Sequence, residues 1–187
     1  LFTSNHAHAG GGISTVGTLS LVGSTLSNNT ADTGNIPDEG YGGGIMNDDN
    51  ATGNTTIINS TVTGNRASAG GGIFNNSKDG RELNVFSTTI TNNTSTSTNH
   101  VHSCGAGIHN QGPSLDGNKT ITQLKNTIVA GNFSDNTDCE SFVDLGARVN
   151  GSSGERTPFV NLGNNLVGKG GSAESGTSGW SLVNVAA

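Results

Sequence analysis

The sequence predicts an all-β solenoid, a right-handed parallel β-helix of about five to six coils, and three observations predict it. Two short words recur in fixed order along the 187 residues. The spacing between them changes chiefly at one corner, as loops do on a stacked repeat. Almost no stretch favours a helix: Leu, Ile, Val and Phe supply 39 of the 187 residues, and Gly, Asn, Ser and Thr fill the chain. With only 12% of residues charged, that composition fits turns and stacked short strands better than a disordered tail.

The first word contains glycines followed by isoleucine: AGGGI at 9–13, YGGGI at 41–45, the GGGI of ASAGGGIFNN at 67–76, and GAGI at 105–108. Ile13, Ile45, Ile73 and Ile108 form one column. The second word ends in asparagine: FTSN at 2–5, LSNN at 26–29, VTGN at 62–65, ITNN at 90–93 and VAGN at 129–132. Three residues before each Asn stand Phe2, Leu26, Val62, Ile90 and Val129, which complete a thin core by stacking like on like. Asn5, Asn29, Asn65, Asn93 and Asn132 are expected to form a ladder at a bend, with Asn47, Asn75 and Asn110 as a second column. Glycine admits the tight bends between strands.

A third strand is expected between the words. Counting back eight residues from each Asn reaches Leu21, Ile57, Val85 and Leu124; counting back ten reaches Leu19, Thr55, Leu83 and Thr122. Alternation places both columns on one side of a strand. Each coil would then hold three strands and three bends, neighbouring coils about 4.8 Å apart in a rod roughly 25 Å long. Insertions at 30–41 and 94–104 mark the variable corner. Residues 1–187 are read as one domain, with regular coils over 1–139 and irregular coils or a cap over 140–187, where Trp180 would cover the end of the core. Leu1 falls inside a repeat, so a longer parent chain is expected, and the open strand edges of the first coil would favour end-to-end association into filaments.

The pairing of Phe/aliphatic-x-x-Asn with Gly-Gly-x-Ile resembles the repeat of polymorphic membrane proteins and related bacterial extracellular β-helices. FTSN keeps the aromatic form, while Leu26, Val62, Ile90 and Val129 replace it. NTIVAGNFSDNTDC (126–139) and NLGNNLVG (161–168) are similar to the closing coils of secreted β-helix proteins with choice-of-anchor domains. The resemblance implies an extracellular or cell-surface location and a structural or adhesive role toward neighbouring subunits, other parts of a longer chain or a surface glycan.

Several residue patterns could carry chemistry, and each also has a plainer reading. Cys104 and Cys139 fall in the same corner one coil apart, compatible with a disulfide or with two free thiols; an extracellular location favours the disulfide. His100, His102 and Cys104 have alternate spacing, as have His6 and His8, but zinc needs converging ligands, normally four, and solvated loops are preferred. Asp48, Asp49 and Asp79, beside Lys78, Arg81 and Glu82, are the carboxylates through which a carbohydrate-active enzyme could act. Thr25-x-Ser27, Thr61-x-Thr63 and Thr89-x-Thr91 should point outward in two rows. Such rows resemble the surface of ice-binding solenoids, but Leu1 and Thr3, and Ile128 and Ala130, break the pattern at its two ends, and Thr is also an ordinary exposed strand residue. The reading preferred over the last two assigns no catalytic residue, cofactor or metal. A net charge of −6 without a basic cluster argues against nucleic acid, and no apolar run is long enough to span a bilayer.

Overall fold

The computed structural model describes residues 1–34, 39–48, 52–77, 80–97, 105–111, 120–135, 143–147 and 159–168. Among them there are strands and turns but no helix. The first coil contains β1 (Phe2–Thr3), β2 (His6–Ala7), β3 (Ile13–Thr15) and β4 (Leu19–Val22). The second contains β5 (Thr25–Ser27), β6 (Thr30–Ala31), β7 (Ile45–Asn47) and β8 (Thr55–Ile58); the third, β9 (Thr61–Thr63), β10 (Arg66–Ala67), β11 (Ile73–Asn75) and β12 (Glu82–Phe86). The fourth contains β13 (Thr89–Thr91), β14 (Thr94–Ser95), β15 (Ile108–Asn110) and β16 (Ile121–Lys125), and the fifth β17 (Ile128–Val129), β18 (Phe133–Ser134), β19 (Leu145–Ala147) and β20 (Phe159–Asn161). A sixth coil opens with β21 (Leu166–Val167).

Every fourth strand pairs in parallel with the one before it, giving four sheets of five or six strands: a parallel β-helix with a four-sided cross-section. The expectation of three strands per coil is corrected here. The additional sheet is made of two-residue strands directly after each ladder Asn, such as Arg66–Ala67, too short to leave a pattern of alternation in the sequence. The expectation of one variable corner is also corrected: the connections from the third sheet to the fourth differ too, from residues 16–18 to 48–54 and 111–120. Strands β19 to β21 keep the register of the earlier coils, so the regular repeat extends past residue 139.

The registers align the expected columns. Ile13, Ile45, Ile73 and Ile108 are successive partners, continued by Leu145. Phe2, Leu26, Val62, Ile90 and Val129 do the same and continue to Val167. From Leu26 and Ile45 onward these columns form one continuous core with Leu21, Ile57, Leu83, Val85 and Leu124, against which Ile13 packs. The expectation that Phe2 completes the core is corrected, because no coil precedes it in the structure to cover its ring and it is exposed. Each fully buried aliphatic side chain contributes about 1.5–3 kcal/mol, so a slip of one residue, which would turn a whole column outward, is strongly disfavoured.

The bends explain the glycine word. At its first position the backbone has a positive φ, 68° at Gly42, where a side chain would be strained. At its last position the next coil passes too close: a Cβ on Gly107 would lie 2.8 Å from Asn132 Nδ2.

Candidate functional site

Two polar columns run inside the rod. In the first, each Asn donates from Nδ2 to the Oδ1 of the next: Asn5 to Asn29, Asn29 to Asn65, Asn65 to Asn93 and Asn93 to Asn132, all at 2.9 Å. The backbone N–H of each donor bonds the same oxygen at 3.0–3.1 Å. The second Nδ2 proton reaches back to the previous coil, as from Asn65 to the Leu26 carbonyl at 3.0 Å. An amide with two bonds at each end is fully satisfied, which is why it tolerates complete burial.

The last rung is a carboxylate. Asp144 Oδ1 accepts from Asn132 Nδ2 at 2.7 Å and from the Asn132 backbone at 3.0 Å. Asp144 stands opposite Gly107 in register, the position that is glycine in the earlier coils. In the sequence the position three on from Val167 is Gly170 rather than Asn, and the acceptor that Asn132 uses is the Asp144 carboxylate.

In the second column Asn47 donates to Asn75 at 2.9 Å and Asn75 to Asn110 at 3.3 Å. Thr55 and Thr122, inside the fourth sheet, donate their hydroxyls to Asn47 and Asn110 at 3.1 and 2.6 Å. These threonines belong to the inward column expected from the sequence; their role as partners of the asparagines was not anticipated.

Sequence reasoning also missed a cluster on the outer side of the third sheet. Met46, Phe74 and His109 are register partners, all buried, and Phe74 packs between Tyr41 and His109 at 4.8 and 5.2 Å between ring centroids. Met46, Ala69 and Phe74, with Ala9 and Tyr41 packed against them, form a second small core, on which His109 stacks through Phe74. The signal was available: the middle residue of Ile-Met-Asn, Ile-Phe-Asn and Ile-His-Asn is large where an exposed strand position would favour a polar residue.

The remaining candidates are dispersed. His6 bonds Asp32 of the next coil at 2.8 Å and Arg66 approaches Asp135 at 3.4 Å, both exposed pairs on the second sheet worth little to stability. Asp48 lies just after β7, its backbone N–H bonded to the Thr15 carbonyl. Asp49, Lys78, Asp79, His100, His102, Cys104, Cys139 and Trp180 lie outside the described residues. Among the described residues no three His, Cys, Asp or Glu side chains converge as metal ligands. No described helix is long and apolar enough to cross a membrane.

The first sheet presents the most regular surface. Its central residues Leu26, Val62 and Ile90 are buried, and the flanking side chains project outward in two rows in register: Thr25, Thr61 and Thr89, then Ser27, Thr63 and Thr91. Thr3 extends the second row, with the Ser27 hydroxyl donating to Thr3 Oγ1 at 3.1 Å. No family model, curated protein or solved structure matches the chain. Its function therefore rests on this geometry.

Proposed function

We propose that the chain is a non-catalytic structural or adhesive module of a secreted or cell-surface bacterial protein. The observation that carries this is the unbroken succession of hydrogen-bonded asparagines from Asn5 to Asn132, beside a continuous aliphatic core. Such a ladder ties every coil to its neighbours through the backbone, giving a stiff rod whose corners hold loops of variable length. The variable connections from the second sheet to the third, within residues 30–41 and 94–104, would present the contact surface, to a glycan or a neighbouring subunit.

The test is a loop exchange. Residues 94–104 are replaced by the short connection of the preceding coil, and the purified chain is compared with the wild type on arrays of surface glycans and by negative-stain electron microscopy over a range of concentrations. Binding or lateral assembly that is lost in a variant of unchanged melting temperature supports the module. Release of reducing ends from a polysaccharide, abolished by Asp48→Asn, would replace this reading with an enzymatic one.

A further inference from the structure

The first sheet carries a property beyond the proposed rod. Its outward positions hold no charge in any coil, although the chain has 8 basic and 14 acidic residues. Over three successive coils they hold only hydroxyls: Thr25 and Ser27, Thr61 and Thr63, Thr89 and Thr91. The hydroxyls of Thr61, Thr63, Thr89 and Thr91 donate to no protein group within the described residues, whereas those of Thr55, Thr122 and Thr127 are used inside the rod.

Position and orientation of this array are set in advance. Neighbouring hydroxyls repeat at about 4.8 Å across the strands and about 6.7 Å along them, the two spacings of a parallel sheet. Threonine is stiff at χ1, so each hydroxyl and its methyl group keep a fixed aspect. The ladder at the adjacent bend holds the strands in place, with Asn93 Nδ2 donating to the Thr91 carbonyl at 3.1 Å. The array passes into Ile128 in the fifth coil, where the face becomes apolar but stays uncharged.

We infer that this face binds the surface of crystalline ice. A two-dimensional grid of hydroxyls and methyls, without charge to disorder the adjacent water, offers water oxygens partners at spacings of the order found in the ice lattice, and its rigidity removes most of the ordering cost of binding. A crystalline polysaccharide would call for aromatic platforms or carboxylates, and the three hydroxyl-bearing coils present neither.

The experiment is thermal hysteresis and ice-crystal morphology measured on the full chain, on Thr63→Lys at the centre of the array, and on Thr56→Lys, which places the same charge on the outward side of the fourth sheet. The wild type and Thr56→Lys are expected to arrest growth and facet the crystals, and folded Thr63→Lys to lose the effect. Hysteresis absent from the wild type overturns the inference. So does equal activity of Thr63→Lys, or loss of activity in both variants at unchanged melting temperature. Binding to cellulose or chitin that Thr63→Lys abolishes, with ice growth unaffected by the wild type, would give the face to a polysaccharide. None of these outcomes decides the loop-exchange test, which reads a different corner of the rod.

Discussion

Asp144 closes the asparagine ladder by accepting two hydrogen bonds from Asn132, 2.7 Å from its side chain and 3.0 Å from its backbone. A carboxylate can accept but cannot pass a proton to a further rung, so the succession that begins at Asn5 ends there. Asp144→Asn keeps an acceptor and exchanges two charge-assisted bonds for neutral ones, an expected loss of about 1 kcal/mol. Asp144→Ala leaves two buried N–H groups without a partner and should cost roughly 2–4 kcal/mol. Urea unfolding of both variants checks the order, and equal losses would contradict the role of Asp144 as an acceptor.

Asn65 sits at the middle of the ladder, fully buried. Asn65→Ala removes the acceptor of two Asn29 donors and the donor to Asn93 and to the Leu26 carbonyl. A loss of about 3 kcal/mol or more is expected, and Asn65→Asp should fail to restore it because it offers an acceptor where Asn93 Oδ1 needs a donor. Equilibrium unfolding of the pair is the measurement.

Glycine at 107 is required by contact rather than by backbone torsion. Gly107→Ala would place a Cβ 2.5 Å from the Asp144 carbonyl and 2.8 Å from Asn132 Nδ2, whereas Gly17→Ala meets nothing within 4 Å. The first should destabilise by roughly 1–3 kcal/mol and the second by little, read as a difference in melting temperature.

The outer cluster should be separable from the inner core. Phe74→Ala removes a buried ring packed between Tyr41 and His109 and is expected to cost about 3–5 kcal/mol. Amide exchange at Asn65 and Asn93 should rise no more than global stability falls, since the ladder lies on the other side of the strands. A selective loss of protection at those two amides would show that the two cores are coupled.

Much of this architecture could be read from the chain itself because a solenoid turns neighbour contacts into sequence periodicity. The Ile column and the ladder positions repeat as short words, and side chains that stack on their own kind must recur along the chain. The Thr rows were legible for the same reason, since alternation alone tells outward from inward. Features without a repeating word were not legible. The second sheet has two-residue strands, below the length at which alternation has meaning, so the sequence predicts three sides where the structure has four. Met46, Phe74 and His109 do share one place in the Ile-x-Asn word, but their burial depends on Tyr41, Ala9 and Ala69, which reach that face from other parts of the chain.

The sequence by itself determined the all-β repeat, the stacked apolar columns and the asparagine positions, because each of these is a local pattern copied from coil to coil. The tertiary structure alone decided the four-sided section, the pairing of Thr55 and Thr122 with buried asparagines, and the use of Asp144 as the final rung. Those depend on which side chains meet across the inside of a coil, a distance that no spacing along the chain encodes.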